Sequence, residues 1–170
     1  MPGTRRLWMR LDLTTAQQPS LRPLATIDGW TADVLAPLLL AAYRGSVDDE
    51  GEDLEGATGE VERTLTGVYG PLISEASFVA VDGDRPVGAV LVTLWEERPL
   101  VAHVIVDPAV KRSGLGTELM NAAANALAAA GRTELDLFVT EANEPAVRLY
   151  RSLGFRTLRR ITAPPGEGSI

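Results

Sequence analysis

One segment, residues 101–131, constrains the fold of this chain more than any other. It begins with an almost unbroken apolar, β-branched run at 101–106, which an Asp-Pro pair interrupts. Such a run suits a strand buried on both faces, and proline ends it because proline cannot donate to a strand ladder. After two glycines, an Ala- and Leu-rich run without Gly or Pro extends to residue 130 and stops at Gly131. The segment therefore predicts a buried strand, a glycine turn and a long helix over 117–130.

The glycine turn before this helix predicts an anion site. The first N–H groups of a helix are unpaired and partly positive, and glycines let an anion approach the backbone closely. Lys111 and Arg112 add positive charge just before Gly114 and Gly116. A P-loop needs Lys and Ser or Thr directly after its second glycine, and a dinucleotide-binding turn needs a third glycine at position 119, which is Leu. Neither of these motifs fits the turn.

Residues 140–155 predict a second, shorter helix. Asn143 is a good N-cap, a Glu-Pro pair follows it, and Gly154 supplies a C-terminal stop. The apolar positions that share one stripe of this helix are Ala146, Leu149, Tyr150 and Leu153.

Taken together, the two segments resemble the signatures of the Gcn5-related N-acetyltransferase (GNAT) family. The first, Lys-Arg-Ser-Gly-Leu-Gly at 111–116, resembles the family's [Gln/Arg]-x-x-Gly-x-[Gly/Ala] loop, although the family more often has Arg or Gln where this chain has Lys111. The second, at 143–155, resembles Asn-x-x-Ala-x-x-Leu-Tyr-x-x-x-Gly-Phe at every named position. The resemblance covers about residues 20–160 and implies an α/β domain with a single mixed sheet, in the order β-α-α-β-β-β-α-β-α-β.

The resemblance also divides the chain. It implies an acetyltransferase domain at 20–161, preceded by an extension at 1–19 and followed by a flexible Pro- and Gly-rich tail at 162–170. Alternating apolar residues at 7–13 are consistent with an extra edge strand in the extension.

Local patterns place the remaining elements. A first helix is expected at 31–43, where Pro37 either kinks it or marks a start near Ala36. A second helix is expected at 60–69. The further strands are expected at 77–81, 87–95, 133–139 and 155–161.

The resemblance implies acetyl-coenzyme A (acetyl-CoA) as co-substrate, with its pyrophosphate on the glycine turn and its pantetheine arm along the central strand. By this resemblance the cofactor-binding residues are Val104, Ile105, Val106, Lys111, Arg112, Ser113, Gly114, Leu115, Gly116, Thr117 and Asn143.

Tyr150 is the candidate catalytic residue, as a general acid for the departing thiolate. A phenol with a pKa near ~10 and a thiol with a pKa near ~8.5 are close enough for a proton to pass as charge builds on sulfur. The family transfers the acetyl group directly, so the lack of cysteine in this chain is no objection.

The sequence does not identify the general base that would deprotonate the acceptor amine. An alkyl amine of pKa ~10.4 costs roughly 4.6 kcal/mol to deprotonate at pH 7, whereas a peptide N-terminus costs about 1 kcal/mol. Some family members carry Glu or His on the central strand where this chain has Leu100 and Ala102. Strict alternation puts His103 on the opposite face from those two residues unless a bulge intervenes. The other candidates are Glu141, an acid of the 48–55 segment, and water.

Composition bounds the partners. The net charge of -7 and the pI near 4.8 disfavour nucleic acid. With no cysteine and one histidine, a metal site is not expected. No apolar run of membrane-spanning length occurs, so no membrane partner and a cytoplasmic protein are expected.

The acceptor is expected to be a small cationic amine. Six acidic residues crowd the segment 45–59, and the resemblance puts this segment over the acceptor side of the cleft, where it would steer a cation. The alternative is an acyl-CoA binding module with degenerate catalysis, because Leu100 and Ala102 do not titrate. A homodimer is implied by resemblance only.

Overall fold

The computed structural model describes residues 3–14 and 22–163. These residues form seven strands and four α-helices, in the order β-β-α-α-β-β-β-α-β-α-β. The strands are β1 (Thr4–Asp12), β2 (Ala25–Thr26), β3 (Phe78–Asp82), β4 (Arg85–Trp95), β5 (Arg98–Val106), β6 (Glu134–Thr140) and β7 (Arg156–Ala163). The α-helices are α1 (Ala32–Tyr43), α2 (Leu54–Leu65), α3 (Leu115–Ala129) and α4 (Glu144–Ser152). Short 3-10 helices occur at Ser74–Ala76 and Pro108–Val110.

All seven strands form one mixed sheet in the order β2-β3-β4-β5-β6-β1-β7. Only β5 and β6 pair in parallel, since the other neighbouring strands are antiparallel. The predicted fold class, a mixed α/β domain with one sheet and an extra N-terminal strand, is therefore confirmed.

The position predicted for the N-terminal strand is wrong. β1 is not at the edge of the sheet, because it lies between β6 and β7 and pairs antiparallel with both. Its alternating residues Leu7, Met9 and Leu11 are buried in the core, as befits an interior strand. Residues 4–12 thus belong to the domain's sheet and are not an extension from it. The predicted tail also begins too early, since β7 extends to Ala163, and residues 164–170 lie outside the described residues.

Two apolar layers cover the two faces of the sheet. One packs α3 and α4 against the sheet and includes Leu119, Leu127 and Tyr150. The other packs α1 and α2 against β3, β4 and β5, and includes Leu35, Val61 and Ile105. The two faces of the sheet are named below by the helices that cover them.

The first two helices begin earlier than one reading of the sequence suggests. α1 begins at Ala32 with Thr31 as its N-cap, and Pro37 lies inside it. α2 was expected at 60–69 but runs from Leu54 to Leu65, because the Asp53 side chain accepts a hydrogen bond from the Gly56 N–H at 2.8 Å. The last residues of the acidic segment are therefore helical.

The helix after the glycine turn packs unusually close to the sheet. Gly88 in β4 lies beneath α3, and a Cβ atom at this position would come within 2.8 Å of Leu115 and 3.0 Å of Leu119. Both leucine side chains are fully buried. The absence of a side chain at Gly88 thus sets how closely the start of α3 approaches the central strands.

Candidate active site

A groove opens between the two parallel strands. β5 and β6 pair only at Leu100 with Asp136 and at Val101 with Leu137. Beyond these pairs, β5 continues to Val106 and β6 to Thr140 without pairing to each other. The backbone of β5 is paired on its other side with β4, so its free edge faces the groove.

A β-bulge in β5 coincides with the start of the groove. Leu91 of β4 faces His103, whereas the next residue, Val92, faces Val101, so Ala102 is an extra residue in β5. The bulge changes which side chains share a face. Leu100 pairs with Thr93 and His103 pairs with Leu91, and these β4 residues lie two apart and so on the same face.

The bulge is the exception under which His103 can share a face with Leu100. Strict alternation would put the two residues on opposite faces, whereas the bulged strand puts both on the face that carries α1 and α2. No simple sequence signal marks the bulge, because Ala102 is as compatible with a regular strand as with a bulged one.

The turn that leads from β5 to α3 is open and well braced. Asp107 accepts hydrogen bonds from the Ala109 N–H at 2.9 Å and from Arg85 at 2.7 Å. The N–H of Ala109 and then the Arg85 guanidinium hold the pKa of Asp107 below its usual value. Gly114 has a φ of 81°, a left-handed conformation that favours glycine, and a Cβ there would meet no atom within 4 Å.

The first turn of α3 presents free N–H groups. Its first intrahelical hydrogen bond runs from the Glu118 N–H to the Gly114 carbonyl at 3.0 Å, so the N–H groups of Leu115, Gly116 and Thr117 have no acceptor within the helix. The Leu115 side chain is buried in the core, so only its backbone faces the turn. Lys111 and Arg112 are exposed beside it.

Arg22 is a contributor to this turn that sequence reasoning missed. Its guanidinium donates to the Ser113 carbonyl at 3.1 Å and forms an ion pair with Glu118 in the first turn of α3. Arg22 lies 91 residues before Ser113 in the chain, so no local pattern could reveal the contact.

At the other end of the groove, Asp48 joins the acidic segment to β6 and α4. Its carboxylate accepts hydrogen bonds from Thr140 at 2.6 Å and from the Asn143 amide at 2.9 Å. Asn143 also caps α4, because its side-chain oxygen accepts from the Ala146 N–H at 3.3 Å. Both amide atoms of Asn143 are thus engaged, and Asp48 reaches over the end of β6.

Three other acids of the 48–55 segment accept hydrogen bonds from backbone N–H groups of residues 45–56. Asp49 accepts from the N–H groups of Gly45 and Gly51, Glu52 accepts from the Glu50 N–H, and Asp53 caps α2. Glu141 is ion-paired with Arg160 of β7. Of the acids named as candidate bases, Asp48 is the one hydrogen-bonded to groove residues.

Tyr150 lies in α4 and is almost completely buried. Its ring packs against Phe155 at a centroid distance of 5.9 Å. Among the described residues, its hydroxyl has no hydrogen-bond partner. Burial, and then the negative charge of Asp48, raises the pKa of Tyr150 well above its usual value, so the phenol keeps its proton at neutral pH.

A polar chain crosses the face that carries α1 and α2. The Tyr43 hydroxyl lies 3.0 Å from His103 Nδ1, and His103 Nε2 lies 3.3 Å from Glu60 Oε1. Glu60 Oε2 accepts from Tyr69 at 2.9 Å and from Arg63 at 3.0 Å. Burial would raise the pKa of Glu60, but His103, Tyr69 and Arg63 together lower it to about 2.

The family of the chain follows from a direct match. The model of the acetyltransferase (GNAT) family matches residues 48–155. The chain belongs to the GNAT family. The match includes the groove, the glycine turn and α4, and the family predicted from the two sequence signatures is confirmed.

Named relatives are acetyltransferases with different acceptors. Streptothricin acetyltransferase of Streptomyces lavendulae is 35% identical, over 79% of this chain and 69% of that protein. [Ribosomal protein bS18]-alanine N-acetyltransferase of Salmonella typhimurium is 30% identical, over 63% of this chain and 72% of that protein. Mycothiol acetyltransferase of Streptosporangium roseum is 40% identical over 43% of this chain, which spans only 18% of that protein.

A solved structure supports the GNAT fold over the whole chain. A GCN5-related N-acetyltransferase from Sphaerobacter thermophilus superposes with a TM-score of 0.71 at 18% identity. The superposition covers 99% of this chain and 54% of that one, so the chain spans about half the length of that neighbour.

The described residues contain neither a membrane-spanning helix nor a metal-binding cluster. Within residues 3–14 and 22–163, no helix is long and apolar enough to cross a membrane. Within the same ranges, no group of three or more His, Cys, Asp or Glu side chains could hold a metal ion.

Proposed function

We propose that this chain transfers an acetyl group from acetyl-CoA to a primary amine of a small cationic acceptor. The observation that carries the proposal is the free edge of β5. At its Val106 end the edge meets the glycine turn. At the other end of the groove, Asp48 joins Thr140 of β6 to Asn143, the cap of the helix that carries Tyr150. The groove therefore connects an anion site to the helix that carries a buried proton donor.

The open turn suits a pyrophosphate. Three free N–H groups, the space beside Gly114 and the exposed charges of Lys111 and Arg112 all favour a doubly charged anion. The residues proposed to bind it are Lys111, Arg112, Ser113, Gly114, Leu115, Gly116 and Thr117. Arg22 supports this set by fixing the Ser113 carbonyl and by neutralising Glu118.

The unpaired edge suits an amide-bearing arm. The Asp107 N–H donates to the Val87 carbonyl of β4, so alternation turns the backbone of Ile105 toward β4 and that of Val104 and Val106 toward the groove. Among the described strands, Val104 and Val106 have no partner on the groove side, so they can pair with pantetheine amides as a neighbouring strand would. Ile105, which was predicted to bind the cofactor, has its backbone paired with β4 and its side chain in the layer of α1 and α2. We assign Asn143 a smaller part in binding, since capping and Asp48 already engage both of its amide atoms.

Tyr150 is proposed as the proton donor for the departing sulfur. Acetyl-CoA supplies an acetyl group activated as a thioester. The Tyr150 hydroxyl is protonated at neutral pH and has no competing partner among the described residues, so it is free to donate when negative charge develops beside it. In the proposed reaction the acceptor amine attacks the thioester directly, as the family resemblance implies, and the lack of cysteine in the chain is consistent with this route.

A cationic acceptor is favoured by charge. Asp48 and Glu52 lie near enough to Tyr43 to raise its pKa, and Glu60 lies behind His103. The acceptor side of the groove is therefore negative, which attracts an ammonium group. One relative, which the chain matches over 69% of its length, is named as an acetyltransferase of streptothricin.

The proposal is tested by thiol release from acetyl-CoA with a panel of amines. The panel pairs each dicationic amine with a neutral or monocationic amine of equal size and pKa, and includes a peptide with a free N-terminal alanine. We expect amine-dependent release of coenzyme A, with kcat/KM highest for the dicationic members. A preference for the peptide would overturn the acceptor class and leave acetyl transfer intact.

The second candidate, an acyl-CoA binding module without catalysis, is favoured by Leu100 and Ala102, which carry no titratable group. The same panel decides between the two. Tight binding of coenzyme A in calorimetry, with no turnover of any amine, would establish the module and reject the transferase.

A further inference from the structure

The polar chain formed by Tyr43, His103 and Glu60 is unusual because it crosses an apolar layer of the core. His103 is only 4% exposed and lies in an otherwise apolar layer that includes Leu91 and Ile105. Burying an imidazole there costs free energy unless both ring nitrogens are satisfied. Both are satisfied, and by two groups that can exchange protons.

The contacts fix the tautomer of a neutral His103. An ionised carboxylate only accepts hydrogen bonds, so the nitrogen that faces Glu60, Nε2, carries the proton. Nδ1 then has a free lone pair, and the Tyr43 hydroxyl donates to it. The chain is thus arranged to take up a proton at Tyr43 and to hold it as an imidazolium beside Glu60.

The two ends of the chain lie in different surroundings. Burial, and then the effects of Tyr150 and Asp48, raise the pKa of Tyr43. Ser46 links Tyr43 to the acidic residue at the groove, because its hydroxyl donates to the Tyr43 carbonyl at 2.7 Å and accepts from the Asp48 N–H at 3.2 Å. Asp48 in turn accepts hydrogen bonds from Thr140 and Asn143. At the other end, the side chain of Glu60 is 21% exposed and that of Arg63 is 48% exposed. The chain therefore runs from the groove to the surface of α2.

We propose that Tyr43, His103 and Glu60 form a relay that removes the proton of the acceptor's ammonium group. The inference rests on the proposed acetyl transfer and supplies its missing base. The ammonium gives a proton to the Tyr43 oxygen while the Tyr43 hydroxyl proton passes to His103 Nδ1, leaving a neutral amine, an intact phenol and an imidazolium paired with Glu60. Tyr43 touches the substrate, whereas His103 and Glu60 act through it as positioning residues.

Several charged groups surround the relay and will shape its pH dependence. After burial, Tyr150 of α4 and the acids Asp48, Glu60 and Glu52 raise the pKa of Tyr43. Glu60 faces Arg63 in α2 and Tyr69 after it. His103, Tyr69 and Arg63 lower the pKa of Glu60, so its carboxylate stays ionised at neutral pH.

Acceptors of different basicity separate a relay from a packing role. The acceptors are two amines of equal size and charge, one with a pKa of about 10 and one below about 8. For the strongly basic amine, Tyr43→Phe and His103→Gln should lower kcat/KM by roughly 10²- to 10³-fold, since a general base contributes about that much. For the weak amine the loss should be below about 10-fold, because free amine is already abundant at neutral pH.

The pH profile gives a second readout that packing would not move. Without the relay, only free amine from solution reacts, so kcat/KM should rise about tenfold per pH unit up to the pKa of the amine. The wild type should reach its plateau at lower pH. Thr93→Val is the matched control, because the Thr93 hydroxyl is buried on the same face, has no hydrogen-bond partner within residues 3–14 and 22–163, and belongs to the residue paired with Leu100. It should change neither amine's kinetics.

The outcomes are distinct. An equal loss on both amines, or unchanged pH profiles in Tyr43→Phe and His103→Gln, would overturn the relay while acetyl transfer stands. No turnover of either amine by the wild type would overturn the proposed function and the relay with it. Thermal melting of each variant shows whether an equal loss comes from unfolding. If it does, the two amines are compared again in His103→Asn, which keeps a donor or acceptor near Nδ1. An equal loss in that folded variant overturns the relay, and a loss confined to the strongly basic amine supports it.

Discussion

At the scale of single residues, one extra residue in β5 decides which side chains reach the acceptor side of the groove. The bulge at Ala102 turns His103 towards Tyr43 and Glu60 and leaves Val101 in the opposite layer. Without the extra residue Ala102, His103 and Val101 could not both keep their present faces. The reactive character of the groove therefore depends on a backbone irregularity as much as on residue type.

Tyr150→Phe isolates the proposed proton donor. We expect kcat to fall by about 10²-fold, because a general acid contributes that much or more, while the affinity for coenzyme A changes little. Steady-state kinetics and calorimetry measure the two quantities. The variant should fold normally, since the lost hydroxyl has no hydrogen-bond partner among the described residues, and removing such a buried group is close to neutral.

An unchanged kcat in that variant, with thiol release still limited by chemistry, would remove Tyr150 from the mechanism. A parallel loss of coenzyme affinity would instead indicate that the phenol orients the arm in the groove and does not donate a proton.

At the scale of elements, the parts that the sequence predicts well are those specified locally. The glycine turn, α3 and α4 each carry their own start and stop signals, and Asn143 caps α4 as predicted. The start of α2 was missed because Asp53, its cap, is one acid among many in the segment, and because Gly56 and Gly59 weaken the helical pattern. The bulge in β5 and the contacts of Arg22 depend on distant segments and leave no local signal.

The close packing of α3 on β4 can be tested with a pair of glycine substitutions. Gly88→Ala should lower the free energy of unfolding by about 1–3 kcal/mol, because the new methyl group would overlap two buried leucines of α3. Gly59→Ala, in the interior of α2, is the matched control, since its methyl would meet only the half-exposed guanidinium of Arg63, at 3.2 Å.

For Gly59→Ala, we expect the free energy of unfolding to rise by up to about 1 kcal/mol, because alanine has a higher helix propensity than glycine. Urea unfolding at pH 7 measures both changes. A Gly88→Ala protein as stable as the wild type would show that α3 can move away from the sheet, and the turn at its start would then be less rigid than we describe.

At the scale of the whole molecule, the sheet is completed by the beginning of the chain. β1 fills the position between β6 and β7, so the half of the sheet beyond the groove consists of three antiparallel strands that are distant in sequence. The alternation at 7–13 predicted a strand, but a pattern of buried and exposed residues does not say which strands it joins. The groove lies between this half and the half built from β2 to β5.

Amide hydrogen exchange with and without coenzyme A tests the central claim, that this groove and its glycine turn bind the coenzyme. We predict slower exchange at Val104, Val106 and 114–117 on binding, because the N–H groups of Val104 and Val106 face the groove and those of 114–117 lie at the start of α3. Exchange in β7 and on the exposed face of α2 should not change. Protection confined to those other surfaces, with Val104, Val106 and 114–117 unaffected at saturating coenzyme, would contradict the account.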